Sequence, residues 1–351
     1  MELQKIDYDE YRQIAEGIGR PLPIEQTESW AEYQKTVEGR TPYGYFKLVD
    51  GTSIAAVMSI MDFQTHGYHY LRSEHGPVWI DEPDEAQERQ AAEAIRSCLR
   101  GLGSRAVFIR MAVAHELDST RPTLSTIPYD RTVVIDVTGG DEAILSRMKP
   151  RGRRDVRKAL REAPITCADE TQRAVESFDE YYEVMVETGA RDGFVPAPAS
   201  DYVTMLEVLG PEHCRLLAGR DEDGRVVTWS ICTISGTRAT RYYAASRNET
   251  MRKHVSDKLV YFECCEMGRL GCEEYDLMAI GSEFSPSLMG LNEFKTKFCK
   301  EVAAEVAPDR DLPLKPVAYA ALVQARKLVV ARRQRGGEKS QKDTRGEKGE
   351  G

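Results

Sequence analysis

Tyr45-Phe-Lys-Leu-Val-Asp50-Gly51-Thr-Ser-Ile54-Ala-Ala-Val-Met-Ser-Ile-Met61 reads as two β-prone runs joined by Asp-Gly. Glycine there supplies a residue free to take positive φ, so the stretch predicts a hairpin. Working outward, a third strand is expected at Tyr68–Leu71, then a helix from Glu85 to Leu102 ending at Gly103, then an apolar strand at Ala106–Ala112. The same order returns downstream. Cys214–Gly219 leads through Asp223-Gly224 to Val226–Ile234, followed by a strand at Thr240–Ala245, a helix over Ser256–Leu270 ending at Gly271, and a strand at Tyr275–Ile280. The Asp-Gly pairs lie 173 residues apart and the helix-ending glycines 168 apart. An antiparallel meander, a helix and a further strand that recur at near-constant spacing predict an α/β protein with a duplicated unit.

Between the units the pattern predicts a strand at Thr132–Val137, a helix starting near Asp141, and a basic helix from Arg151 to Glu162. One long amphipathic helix is expected over Thr171–Gly189, and another over Ser200–Leu209 after Pro196 and Pro198 break the chain. A polar strand follows Phe298, and a last helix starts near Val317. Residues 336–351 are a Gly/Lys/Glu tail whose composition predicts disorder. Arg332, Arg333 and Arg335 close that last helix with a basic end. Either it packs on the first unit with a solvated end, or it meets the anionic inner face of a membrane.

The chain has 351 residues, 41% hydrophobic and 30% charged, enough to give two domains a core each. No run approaches the roughly 18 apolar residues that read as a membrane span. The opening Met1–Glu10 alternates charge with apolar residues and lacks the apolar block of a secretory signal, so a cytoplasmic location is expected. A net charge of -9 excludes a general coat for nucleic acid but not a local basic patch. The segment from Lys327 onward carries +4 and the body before it -13. Eight cysteines form no C-x-x-C pair, and Cys264 and Cys265 are neighbours on a helix, where side chains point apart. Reduced, buried thiols are expected. His66, His69 and His75 have no fourth ligand at suitable spacing, so no metal is expected.

The densest local signal is Arg147–Arg161, with eight basic residues and one acidic. On a helix, Arg154, Arg157, Lys158 and Arg161 share one face. That face is either solvated and compensated elsewhere, or it binds a phosphate-rich ligand, most simply RNA. In Gly290-Leu-Asn-Glu-Phe294-Lys295-Thr-Lys297-Phe298 a helix would turn both rings inward, leaving Lys295 at the surface or tucked against the domain. Tyr202, Tyr242 and Tyr243 either pack in a core or line a cleft. Gly-x-Ser-x-Gly, P-loop and Gly-x-Gly-x-x-Gly patterns are missing. The Arg/Gln-x-x-Gly-x-Gly/Ala loop that holds coenzyme A has Cys98 where Arg or Gln belongs. No cofactor is expected, and coenzyme A is disfavoured as a donor.

Seven stretches together resemble the FemABX family of non-ribosomal peptidyltransferases. They are Gln26–Trp30 with Lys35, Gly76-Pro77-Val78, Arg151–Ala159, Glu187–Phe194, Tyr243–Ser246, Tyr275–Leu277 and Gly290–Lys295. They fall in family order over about residues 20–300. The resemblance implies two tandem acetyltransferase-like (GNAT-like) domains of the armless, FemX-like type, with no coiled-coil arm. The corresponding boundaries are 1–145, 146–312, a C-terminal helix 313–335 returning to the first domain, and the tail 336–351. It further implies transfer of an amino acid from aminoacyl-tRNA to the stem-peptide amine of a peptidoglycan precursor, lipid II or UDP-MurNAc-pentapeptide, by a monomer. Lys295 with Phe294 would meet the aminoacyl end, and Lys35 the acceptor phosphates. Tyr243 and Tyr202 would line the acceptor channel. The family often has an arginine before the tyrosine equivalent to Tyr202; here that position is Ala197 or Pro198, and Arg191 is the candidate replacement. The basic face would carry the tRNA. A non-catalytic binding protein, or a tRNA-independent acyltransferase with a small acceptor, are the alternative readings.

Overall fold

The computed structural model describes residues 1–250, 253–300 and 304–328. The Asp-Gly hairpin forms between strands Arg40–Asp50 and Ser53–Thr65, with Gly51 at a φ of 60°. Its partner hairpin joins Cys214–Arg220 to Val226–Ser235, with Gly224 at 79°. Each hairpin seeds one sheet. The first runs in the order Glu2–Ile6, Arg40–Asp50, Ser53–Thr65, Tyr68–Ser73, Phe108–Ala112, Asp309–Pro313, with Val78–Trp79 also pairing to Ser53–Thr65. The second runs Ala304–Glu305, Arg131–Asp136, Glu274–Ala279, Arg238–Ser246, Val226–Ser235, Cys214–Arg220, Thr166–Asp169.

Both sheets are antiparallel except at one matching place. Tyr68–Ser73 lies parallel to Phe108–Ala112, and Arg238–Ser246 lies parallel to Glu274–Ala279. A parallel pair needs a crossover, and the helices Glu85–Gly101 and Val255–Arg269 supply it. Ala91, Ala92, Ile95 and Leu99 lie on one face of the first helix and pack on Phe46, Met58 and Ile60 of the first sheet. Leu259, Val260 and Cys264 do the same against Leu217, Cys232 and Tyr275 of the second. Asp84 and Gln87 form a capping box that sets where the first helix begins. The internal repeat is therefore a repeat of structure.

Two connections cross between the halves. Strand Arg131–Asp136, which precedes residue 145, hydrogen-bonds to Glu274–Ala279 of the second sheet. Asp309–Pro313 returns to pair with Phe108–Ala112 of the first. The helix over 316–328 then sets Tyr319 against Val107 and Phe108, with Leu322 and Val323 beside them. Residues Arg332–Gly351, with the basic end and tail, lie outside the described residues. Among the described residues no helix is long and apolar enough to cross a membrane.

Two expectations need correction. The helix expected over Thr171–Gly189 is two, Thr171–Glu176 and Asp179–Asp192. Ser177 is extended at the break, and Phe178 turns into a core formed with Tyr181, Tyr202 and Trp229. Burying that ring outweighs the continuity of the helical pattern. The stretch around Gly290–Phe298 is not one helix but three short pieces, Pro286–Leu291, Asn292–Lys295 and Thr296–Phe298.

Candidate active site

Strand Glu274–Ala279 loses register with Arg131–Asp136 between Asp276 and Ala279, and Met278 there holds a φ of 61°. A non-glycine residue in that region is strained and persists only where its surroundings hold it. Here the Met278 N–H donates to Asp276 Oδ1 at 2.7 Å. Asp276 also accepts from Thr132 Oγ1 and, at 2.6 Å, from Arg238. The irregular strand end leaves two successive carbonyl oxygens as acceptors for Lys295, whose Nζ donates to Ala279 at 2.9 Å and Met278 at 3.4 Å.

Asn292 holds the lysine-bearing segment in place. Its amide oxygen accepts from the Gly281 N–H at 2.7 Å and its Nδ2 donates to the Gly281 carbonyl at 2.9 Å. A Cβ on Gly281 would lie 2.3 Å from the Met289 nitrogen, so only glycine permits this approach. Phe294 meets Phe298 edge-on at 5.3 Å, with Phe298 fully buried.

The two lysines of this motif differ in environment. Lys297 is 7% exposed, lies 4.9 and 5.3 Å from the Phe294 and Phe298 ring centres, and is ion-paired to Asp257, with Asp155 at 3.6 Å. It is a neutralised structural charge. Lys295 is half-buried and, among the described residues, has no carboxylate within 4 Å. Burial and the Arg241 guanidinium push its pKa down to about 8, against the pull of Asp276. Arg241 donates to buried Glu263 at 2.8 Å, and Glu263 also accepts from Tyr275 at 2.7 Å and Ser230 at 2.5 Å. Sequence reasoning singled out Lys295 and Phe294 but not the partnering of Lys297, because Asp257 and Asp155 come from other helices.

The basic helix, Pro150–Glu162, abuts this segment. The Lys149 N–H donates to the Lys297 carbonyl at 3.2 Å, and Arg151 pairs with Glu293 at 2.7 Å. A Cβ at position 152 would lie 2.1 Å from that same carbonyl oxygen, which is why Gly152 stands there. Val156 and Ala159 face inward, leaving Arg154, Arg157, Lys158 and Arg161 exposed. Among the described residues Arg154 has only its neighbour Asp155 at 3.4 Å, while Lys158 and Arg161 share Glu162 at 3.8 and 3.7 Å. An exposed cationic face thus starts at the segment that carries Lys295.

The expected acceptor residues are distributed unevenly. Lys35 is exposed on helix Glu28–Thr36 and pairs with Glu32. From the same helix Trp30 reaches Tyr242 of the second unit at 5.3 Å, and Tyr243 meets Tyr242 and Tyr202 edge-on at 5.3 and 5.1 Å. Tyr202 itself is 3% exposed and stacked on Phe178, so it supports Tyr243 from the core and offers no surface of its own. Arg191 grips Asp192 through two nitrogens at 2.8 and 2.9 Å and donates to the Ser246 carbonyl at 2.8 Å. These bonds direct its guanidinium to its own helix end.

A cavity of about 230 Å³ between the two units was not foreseen. Glu25, His75 and Pro77 line it from the first unit and Arg238, Asp276 and Met278 from the second, with Tyr129 between. Pro77 and Asp276 lie in two of the stretches that carry the family resemblance, but Glu25, His75, Tyr129, Arg238 and Met278 lie in none, and these residues come from five separate stretches of chain.

Among solved structures the chain superposes on the crystal structure of FemX with a TM-score of 0.69 at 16% identity, over 92% of this chain and all of that one. The fold is FemX-like. A tandem GNAT protein from the clavulanic acid biosynthesis pathway matches at a TM-score of 0.52 and 9% identity, over 89% and 98% of the two chains. A conserved protein of unknown function from Bacteroides thetaiotaomicron matches at 0.51 and 10%, over 88% and 99%. No family model matches the sequence, and no curated protein does. The architecture expected from the repeat and from the resemblance, two GNAT-like units, is the one observed.

Proposed function

We propose that this chain is an aminoacyltransferase that moves an amino acid from aminoacyl-tRNA to the stem-peptide amine of a peptidoglycan precursor, lipid II or a UDP-linked muropeptide. The observation that carries the reading is the contrast between the two motif lysines. Lys297 is neutralised by Asp257, whereas Lys295 holds its charge on two carbonyl oxygens and, among the described residues, has no carboxylate in contact. A fixed, partly desolvated cation without its own anion stabilises negative charge that develops on a bound substrate.

The ester of aminoacyl-tRNA is already activated, so the chain needs no nucleophile of its own. The acceptor amine attacks the ester carbonyl and the carbonyl oxygen becomes negative. Lys295 stabilises that oxygen, and the terminal ribose oxygen leaves with a proton. Phe294, beside Lys295, flanks the aminoacyl end. The exposed face of Arg154, Arg157, Lys158 and Arg161 follows the tRNA backbone away from the site. Lys35 and Tyr243 belong to the acceptor side, with Tyr202 behind Tyr243. Gly101-Leu-Gly103 sits at the C-terminal end of its helix, where backbone carbonyls and not N–H groups are free. That end does not suit the pyrophosphate of coenzyme A.

The reading is tested by supplying charged tRNA with a lipid-linked or nucleotide-linked muropeptide and following formation of the new amide. Transfer from the tRNA is the expected outcome. Turnover with acetyl-coenzyme A in its place, or no transfer to either muropeptide, would overturn it.

A further inference from the structure

The cavity between the units is short of positive charge. Arg238 in its lining is matched by Asp276 at 2.6 Å and by Glu274 at 3.4 Å, and Arg72, outside the lining, is matched by Glu74 at 2.6 Å and Asp309 at 3.5 Å. Each arginine is thus met by two carboxylates. Glu25 remains. Its side chain is 5% exposed, and among the described residues no lysine or arginine approaches it within 4 Å; His75 Nε2 lies 3.9 Å away, and the Tyr242 hydroxyl is beside it. Burial foremost, then Glu74, holds the Glu25 carboxyl above its usual range. Burial works against a charge on His75, yet Glu25 and Glu74 outweigh it and push its pKa up. Tyr129, facing Asp276, Glu25, Glu74 and Asp309, is held protonated by burial and by those carboxylates.

The chain is built to keep this arrangement. Glu25 lies in the short turn Ile24–Gln26, and Gln26 pins that turn to the first sheet by accepting from the Ser59 N–H at 2.8 Å. The Gln26 Nε2 donates to the Glu74 carbonyl at 2.6 Å, which fixes the turn bearing His75, itself at a φ of 53°. A metal ion would need Glu74 as well, but Arg72 already occupies that carboxylate. A buried acidic site with two protonatable groups suits a primary ammonium better.

We propose that this cleft seats the acceptor's ammonium group and that Glu25 is the carboxylate that binds it and takes its proton. The proposal rests on the aminoacyltransferase reading above. In the step, one N–H bond of the ammonium breaks and an O–H bond forms on Glu25, leaving a neutral amine. The nitrogen lone pair then forms the new C–N bond while the carbonyl π pair moves to oxygen. Collapse of that intermediate breaks the C–O bond to the ribose, whose oxygen takes the second amine proton. Glu25 returns its proton to solvent after product leaves. Met278 connects the cleft to Lys295, because it lines the cavity and its carbonyl oxygen accepts from Lys295 Nζ.

The test compares a UDP-linked muropeptide bearing a free lysine amine with the same molecule acetylated on that amine. The wild-type chain should bind the free-amine form at least about tenfold more tightly, and Glu25→Gln, which keeps the shape and removes the charge, should erase that preference. With charged tRNA present, the variant should lose about 10²-fold or more in kcat/KM for the muropeptide, while its KM for the tRNA and its Tm stay at wild-type values. A preference that survives in Glu25→Gln, or is missing in the wild type, overturns the assignment of Glu25. If the wild type shows the Glu25-dependent preference but transfers nothing from tRNA, the aminoacyltransferase reading falls and the ammonium site stands.

Discussion

Lys295 has two opposing demands on it, and they separate on a pH axis. Its pKa in the folded chain is lowered to about 8 from an ordinary 10.5, so below pH 8 the folded and unfolded chains both carry the proton and the fold bears the full penalty of a buried charge. Between pH 8 and 10.5 the folded chain releases the proton first, and that penalty fades as pH rises. Under the proposed mechanism activity moves the other way, since the charge is what would stabilise the oxyanion. We therefore expect Lys295→Met to lower kcat about 10²-fold or more at pH 7 without lowering Tm. The wild type should gain stability relative to the variant between pH 8 and 10.5, while its own turnover declines above pH 8. Turnover within a factor of two of wild type would remove Lys295 from the chemistry. The motif around Lys295 was legible in the sequence. The difference between Lys295 and Lys297 was not, because it depends on Asp257, which helix Val255–Arg269 places beside Lys297.

The basic helix acts as an element through its direction. Gly152 and Lys149 fasten its start to the segment carrying Lys295 and Lys297, so its exposed cations extend outward from the site. Periodicity in the sequence identified the exposed face correctly, since Val156 and Ala159 mark the opposite side. If phosphates of single-stranded RNA lie along that face, log affinity falls with log salt by about 0.7 per contact. Replacing Arg154 and Lys158 by Ala should raise the KM for aminoacyl-tRNA and flatten the salt slope by about two contacts. The KM for the muropeptide should not move. An unchanged salt slope would leave the helix as a solvated surface.

At the scale of the whole molecule the two units are joined by strands that cross over. Asp309–Pro313 closes the edge of the first sheet, and its Asp311 grips the buried Arg110 through two bonds at 2.7 and 3.1 Å. Tyr319 of the final helix donates to the same carboxylate at 3.1 Å. From the other direction, Ile24, Trp30 and Tyr33 of the first unit enter the core that holds Tyr202 and Trp229. Asp311→Ala would leave a buried guanidinium unpaired, which costs about 3–5 kcal/mol. Denaturant unfolding should show that loss across the whole transition, because the strand carrying Asp311 belongs by chain order to the second half. A loss of less than about 1 kcal/mol would show that the crossing strand is dispensable.

The sequence by itself determined the local elements and their repetition. Hairpin turns and helix periodicity depend on near neighbours in the chain, so the duplicated meander–helix–strand order and the cationic face of the basic helix could be read directly. Tertiary structure alone decided which charges remain unmatched. Glu25 and His75 lie fifty residues apart in the chain, and the second unit supplies Arg238, Asp276 and Met278 to the same cavity. Whether a buried carboxylate is neutralised or left to bind a ligand depends on which distant groups come within a few ångströms. Folding sets that distance through Gln26, the irregular strand end at Met278 and the two crossing strands, none of which has a periodic signature.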